Sequence, residues 1–347
     1  LENLYDISRL AQYRNGAIEQ LSSFDRTGYN DDGFSGKFSS IRKEPEGFVM
    51  ADLKGPGVIN RIWTPTPETD TIKFYFDGEK EPGISLPFLE LFTGNTYPFM
   101  APLCGNDVGG YYCFLPIPYE KSLKIVYTGK LLRFHQTQYR SLSQTDKMKT
   151  FSMELLKNYQ KDFDKIDAVW SQKIPVLSFY KDVKSTKINI KLNAGEEAVL
   201  IDFHQGGRIV GIEFGAGNDI LNTYRKILLK AKWDNESRNA LELPLHDFFG
   251  FAFGKPSMQS LIVGSDHHKL YSFFPMPFDS SAKISLIYDK WEEGDTKELQ
   301  ITGTIYYTDE KRDALNEGRF YAQSGREYNP PGGKLYTISN IREKGHY

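Results

Sequence analysis

The chain has 347 residues, a length that suits two ordinary domains better than one. Aromatic residues make up 14% of it and apolar residues 39%, enough to bury a sizeable core and to exclude a disordered chain. Its 43 Lys and Arg nearly balance 45 Asp and Glu, which argues against nucleic acid or a membrane surface as partner and for a neutral polar ligand.

In chain order, the first distinctive stretch is Ser22-Ser23-Phe24-Asp25-Arg26-Thr27-Gly28-Tyr29-Asn30-Asp31-Asp32-Gly33. Asp, Asn and Gly bond their own backbone in turns and tolerate left-handed φ, so one reading is a structured loop. A second reading is that Asp25, Arg26, Asn30, Asp31 and Asp32 bind a sugar, because Arg and carboxylates form paired hydrogen bonds to vicinal hydroxyls. A third is calcium, although the spacing does not match an EF-hand loop.

Strand patterns follow. Gly57-Val58-Ile59-Asn60-Arg61-Ile62-Trp63 precedes Ile72-Lys73-Phe74-Tyr75-Phe76 and a turn at Asp77-Gly78, a strong hairpin signal because such a turn needs positive φ. The turn residues Asp77 and Glu79, like Asp234 and Glu236 in the matching turn of the second half, are expected to be solvated. Cys104 and Cys113 bracket a hairpin tip at residues 105–110; a disulfide in an oxidising compartment and two buried thiols are both open readings. His135 and Gln136 lie in an alternating strand, where they line either a groove or an exposed sheet face. Residues 146–173 carry Met148, Phe151, Met153, Leu155, Tyr159, Phe163, Ile166 and Trp170 at helical spacing, which predicts one or two amphipathic helices.

The second half repeats the first. Gly207-Arg208-Ile209-Val210-Gly211-Ile212-Glu213-Phe214 precedes Ile227-Leu228-Leu229-Lys230-Ala231-Lys232-Trp233 and a turn at Asp234-Asn235-Glu236. Leu243-Pro244-Leu245-His246-Asp247-Phe248-Phe249 matches Leu86-Pro87-Phe88-Leu89-Glu90-Leu91-Phe92, and Phe274-Pro275-Met276-Pro277-Phe278 matches Leu115-Pro116-Ile117-Pro118-Tyr119. The offset in these later blocks stays at about 157 to 159 residues, the mark of an internal repeat. The expected fold is all-β with a linking helix: two tandem jelly-roll β-sandwich domains, over 1–145 and 181–347, joined by a helical linker over 146–180. Glu90 and Asp247, at matching positions, either point into a cleft or cap a strand end, and Asp247 joins the candidate sugar ligands.

Other chemistries find little footing. His267-His268 are successive strand residues that face opposite sides, and no Cys or carboxylate cluster has ligand spacing, so no metal site or cofactor is expected. The Gly-rich stretches lack a phosphate loop's strand-to-helix context, and no nucleophile elbow is present. No apolar run is long enough for a membrane-spanning helix. The chain starts at Leu1 with no apolar signal segment, as a mature secreted form or a trimmed chain would.

Taken together, the 22–33 loop, Gly55-Pro56-Gly57-Val58-Ile59-Asn60-Arg61-Ile62-Trp63, Phe76-Asp77-Gly78-Glu79 and Pro116-Ile117-Pro118-Tyr119 resemble glycoside hydrolase family 172. The second copy, Phe320-Tyr321-Ala322-Gln323 and Lys344-Gly345-His346-Tyr347 add to the resemblance, which touches nearly the whole chain outside the linker. It implies jelly rolls, trimers or multiples of them, and retaining cleavage of α-D-furanosides such as D-arabinofuranosides or fructofuranosides. It further implies a periplasmic or extracellular place. The family's two catalytic glutamates lie in a Gly-Glu-Gly-Asp motif and a Gly-Thr-Gly-Thr-Glu-Asp-Tyr-Phe motif, both beyond the Gly-His-Tyr segment, and this sequence contains neither. The position aligned with the proton donor falls on Leu89 and His246. The expectation is therefore a front portion whose catalytic jelly roll lies elsewhere; the alternative is a non-catalytic carbohydrate-binding or structural double jelly roll.

Overall fold

The structure is a computed structural model. It describes all residues except 218–219, 221–222, 224, 252–254, 266–267, 291–296, 330, 332–335, 341–343 and 346–347, so His267 and the terminal His346-Tyr347 lie outside the described residues. The chain divides into two compact units: residues 14–167 with Leu1 and 329–337, and residues 2–13, 168–328 and 338–347.

The first unit contains β1 (Ala17–Ser22), β2 (Arg42–Glu44), β3 (Gly47–Lys54), β4 (Gly57–Thr64), β5 (Thr71–Phe76) and β6 (Ile84–Pro87). A small pair, β7 (Asn95–Thr96) and β8 (Phe99–Met100), comes next. Then follow β9 (Cys104–Asp107), β10 (Gly110–Cys113), β11 (Ile117–Tyr119), β12 (Ser122–Tyr127) and β13 (Gln136–Ser141). One sheet runs β1-β13-β4-β10-β9, with β11 extending the β10 side of β4, and the other runs β2-β3-β12-β5-β6. Setting aside the short strands, the first sheet joins the first, eighth, third and sixth strands and the second joins the second, seventh, fourth and fifth. That is jelly-roll order.

The second unit has β14 (Lys184–Leu192), β15 (Glu197–Phe203), β16 (Gly207–Gly215), β17 (Ile227–Trp233) and β18 (Leu241–Pro244). After these come β19 (Val263–Ser265), β20 (Lys269–Ser272), β21 (Met276–Phe278), β22 (Ala282–Tyr288), β23 (Leu299–Thr308) and β24 (Ala322–Gln323). Its sheets run β14-β23-β16-β20-β19, with β21 on β16, and β15-β22-β17-β18-β24. Apart from the edge strands β2 and β24 and the β7–β8 pair, this is the first unit's order, so the sequence repeat is a repeat of topology. The protein is two tandem jelly rolls.

Alternation builds each core. On β5 the inward residues are Ile72, Phe74 and Phe76, and on β17 they are Ile227, Leu229, Ala231 and Trp233, all buried. Phe76 stacks on Phe151 at 6.0 Å, while its counterpart Trp233 stacks on Phe278 at 6.2 Å. The extra indole N–H of Trp233 donates to the Phe320 carbonyl at 2.7 Å, so the larger ring is buried without an unpaired donor.

The 146–173 segment forms two helices, α1 (Met153–Lys157) and α2 (Gln160–Trp170). Ser152 caps α1 through its hydroxyl, which accepts from the Leu155 N–H at 3.1 Å. Ile166 and Val169 on α2 are fully buried, as the apolar spacing requires.

Candidate functional site

After Ser22 the chain leaves the first sheet for a long excursion that returns at β2. The start of β13 anchors it. Ser23 N–H donates to the His135 carbonyl at 3.1 Å, His135 N–H donates to Ser23 Oγ at 3.2 Å, and His135 Nε2 bonds the Ser39 carbonyl at 2.7 Å. His135 is 2% exposed, and burial pulls its pKa down to about 4. The ring is therefore neutral at ordinary pH, and Nε2 carries the proton that it gives to Ser39. The groove-lining reading of His135 is corrected: this residue is a buried anchor, hidden because the loop folds over it.

The loop is organised from within. The Asp25 carboxylate accepts from Thr27 N–H at 2.9 Å, the Thr27 hydroxyl at 2.5 Å and Asp31 N–H at 3.2 Å. The Thr27 hydroxyl is the main cause holding the Asp25 carboxyl below its ordinary pKa; burial opposes it and the two backbone N–H groups assist. Asp32 accepts from Asp25 N–H at 2.8 Å. Asp31 accepts from the N–H of Ser35 at 2.8 Å and from its hydroxyl. Arg26 donates to the carbonyls of Phe24 at 2.9 Å, Ser22 at 2.8 Å and Phe38, with the rings of Phe24 and Phe38 beside its guanidinium.

Asp25, Arg26, Asp31 and Asp32 are thus brought together, with most of their bonding directed into the loop itself. What the loop turns outward is different. Asn30 is exposed, and so are three aromatic rings: Phe24 at 55%, Tyr29 at 84% and Phe34 at 64%. Phe34 is partly steadied by an edge-on contact with Phe134 at 4.9 Å. Each of these outward rings offers apolar area that a sugar ring or another chain can cover. Sequence reasoning passed over them because they follow no strand or helix period; the usable signal was aromatic residues interleaved with Gly, Asn and Asp.

Asp247 belongs to the second unit, not to the loop's. It lies in the helical turn Leu245–Phe248 and clamps Arg225 through Nε to Oδ1 at 3.1 Å and a second contact to Oδ2 at 2.9 Å. Its counterpart Glu90, in Phe88–Leu91, accepts from the Thr96 hydroxyl. His246 is fully buried; burial lowers its pKa, and Nε2 bonds the Ile220 carbonyl at 2.8 Å. It has no access to solvent.

The expectation for the turn acids also needs correcting. Asp77 and Asp234 are half-buried and hold backbone N–H groups at the entries to β12 and β22, while Glu236 accepts from Tyr321 Oη at 2.7 Å and lies 3.5 Å from Arg319. Only Glu79 is the exposed turn residue the pattern suggested.

The second unit also has an open cavity of about 600 Å³, lined by Ser8, Tyr180, Arg208, Thr308, Glu310 and Glu317 among others. Arg208 and Glu317 face each other there in a bidentate pair at 3.1 Å, with side chains 3% and 7% exposed. Among the described residues no group of three or more His, Cys, Asp or Glu is placed to hold a metal ion.

Two successive jelly rolls, the first carrying a polar, aromatic-tipped loop, define a tandem jelly-roll protein. The family models described as "GH172 first beta-sandwich domain" and "GH172 domain-like" match residues 14–159 and 182–301. Together they span most of the chain, which belongs to glycoside hydrolase family 172. No curated protein matches. Among solved structures, the STIV MCP is 9% identical, with 86% of this chain and 93% of that one covered and a TM-score of 0.23. The major capsid protein P2 from Bacteriophage PM2 is 10% identical, covering 84% and 97%, with a TM-score of 0.20. Likeness at that level carries no argument about this chain.

Proposed function

We propose that these two jelly rolls are the scaffold and substrate-contacting portion of a retaining α-D-furanosidase acting on D-arabinofuranosides or fructofuranosides. Membership of glycoside hydrolase family 172 is the observation that carries this reading. Retention needs one carboxylate to attack the anomeric carbon and a second, about 5 to 5.5 Å away, to protonate the leaving oxygen. Glu90 and Asp247 are engaged by Thr96 and Arg225, and Leu89 and His246 supply no acid. Neither of the family's two glutamate motifs occurs in the sequence, and on this reading the catalytic pair is supplied from outside these 347 residues.

In this reading Tyr29, Asn30 and Phe34 meet a furanoside held at a neighbouring subunit of a trimer, or a multiple of one. Asp25, Arg26, Asp31 and Asp32 set the loop that presents them. On the same reading the protein works in a periplasm or outside the cell, where such glycans are degraded.

The test is turnover of an aryl α-D-arabinofuranoside by the product of the complete coding sequence. Tyr29→Ala and Asn30→Ala should each lower kcat/KM by about tenfold or more without moving Tm. The self-satisfied bonding of Asp25 and Asp31 favours a second reading, a carbohydrate-binding or structural double jelly roll; glycan binding with no turnover would select it.

A further inference from the structure

β9 and β10 are joined by Val108 and Gly109, at φ 48° and 79°, the two positive values of a tight hairpin turn. The register then runs Asp107 with Gly110, Asn106 with Tyr111, Gly105 with Tyr112 and Cys104 with Cys113. Just beyond, Phe114 N–H donates to the Leu103 carbonyl at 2.8 Å, so Leu103 and Phe114 are a hydrogen-bonded pair. Pairs alternate along an antiparallel ladder, which makes Cys104 and Cys113 a non-hydrogen-bonded pair. In such pairs Cα atoms approach to about 4.5 Å, inside the range of roughly 4.4 to 6.8 Å that a disulfide spans.

The side chains confirm the meeting. Both thiols are free, both residues are 1% exposed, and each faces the same side of the sheet. The Cys104 thiol is held protonated first by its hydrogen bond with Cys113 and then by burial. These are the only two cysteines in the sequence. β9 is the edge strand of its sheet, and the turn residue Val108 is 99% exposed, so the hairpin can open from its free edge.

We propose that Cys104 and Cys113 form a redox pair whose oxidation closes a cross-strand disulfide and staples the β9–β10 edge. The oxidant is a small disulfide of the oxidised-glutathione class. One cysteine, as thiolate after hairpin opening, attacks it, forming a protein–glutathione disulfide and releasing one glutathione thiol. The second cysteine attacks that mixed disulfide, forming the Cys104–Cys113 bond and releasing the other glutathione thiol. Two protein thiols are oxidised and one small disulfide is reduced to two thiols, so electrons and protons balance.

The test refolds the reduced, denatured chain in glutathione buffers of stepped ratio, so that burial cannot delay closure. Free thiols are then alkylated in denaturant and the intact mass read. The expected product in oxidising buffer is a monomer lighter by two hydrogens that takes up no alkylating agent. It should melt about 5 °C higher than the reduced form and resist proteolysis within residues 104–113. Cys113→Ala should show neither the mass loss nor the rise. Should Cys113→Ala fail to fold, Cys113→Ser and the mass readout on the unmodified chain, which needs no variant, keep the test decisive. Two alkylated cysteines in fully oxidising buffer, an arrested glutathione adduct or a disulfide-linked dimer would each overturn the proposal.

Discussion

Asp77 and Asp234 stand at the same turn of their two jelly rolls, at φ 55° and 53°, and each aims a carboxylate oxygen at backbone N–H groups at the entry to a neighbouring strand, β12 and β22 respectively. Asp77 Oδ1 accepts from Lys121 at 2.6 Å and Ser122 at 3.1 Å; Asp234 Oδ1 accepts from Asp279 at 2.9 Å, Ser280 at 2.7 Å and Ser281 at 3.2 Å. Each backbone N–H answers in kind, Asp77 to the Ser122 carbonyl and Asp234 to that of Ser281, both at 2.8 Å. Burial resists ionisation at both sites, yet the donors outweigh it and hold both carboxyls below their ordinary pKa.

Removing either carboxylate leaves those N–H groups unpaired. Asp77→Ala and Asp234→Ala should each cost about 1–3 kcal/mol in urea unfolding, and Asp→Asn less, because one acceptor oxygen survives. Asp234→Ala should be the costlier, since it frees three backbone N–H groups rather than two and removes one of Arg319's three carboxylate partners, leaving Asp279 and Glu236. Equal melting of Asp77→Ala and the parent protein would refute the clasp.

His135 gives the first unit a pH dependence of known sign. Its folded pKa, pulled to about 4 by burial, lies below the unfolded value near 6.5, so the folded state favours the neutral ring. The stabilisation is complete above the unfolded value and is lost as pH falls from there through about 4. Between pH 7 and pH 4 the loss should reach about 3 kcal/mol. Denaturant midpoints of the parent and of His135→Gln, compared across that window, check it: the variant should lack this slope. A common slope would show that His135 does not titrate against folding.

Much of the fold was legible because it is written in local pattern. Ile72, Phe74 and Phe76 alternate, Asp77-Gly78 turns the hairpin, and the same grammar returns at Ile227 to Asp234. What pattern cannot carry is reach. The partners of Asp77 lie more than forty residues away at Lys121 and Ser122, and nothing local marks a turn aspartate as a clasp. Residues 2–13 likewise pair with a distant segment, Tyr13 N–H donating to the Asn316 carbonyl at 2.7 Å and Gly318 N–H to that of Ala11 at 2.8 Å. In the candidate loop, residue type pointed to the carboxylates, but a carboxylate beside free N–H groups folds its own loop first, and exposure passed to Tyr29 and Phe34.

Gly33 fixes how closely that loop lies on β13's entry. At φ 136° it occupies a backbone region L-residues rarely adopt, and a Cβ there would sit 2.9 Å from the Phe134 nitrogen and 3.0 Å from its Cα. Backbone cannot yield as a side-chain tip can. Gly33→Ala should therefore lift the loop, lowering stability by about 1–3 kcal/mol and speeding proteolysis between Phe24 and Phe38. Limited digestion followed by peptide mapping reads this directly; unchanged cleavage would mean that the loop tolerates a wider seat.

The Arg208–Glu317 pair decides how the second unit holds its 309–319 segment. Both side chains are almost wholly buried, and Glu317 also accepts from Asp313 N–H at 2.9 Å while its carbonyl receives Arg312 Nη1 at 2.7 Å. Removing one partner strands the other charge out of water, at a cost of about 3–5 kcal/mol, whereas replacing both with apolar residues removes the desolvation penalty too. Glu317→Leu should thus be strongly destabilising in urea unfolding, and Arg208→Met with Glu317→Leu should recover much of the loss. Additive costs for the two changes would instead mean that Arg208 draws its stability from Glu310 and the Lys311 carbonyl, each 3.4 Å away, rather than from Glu317.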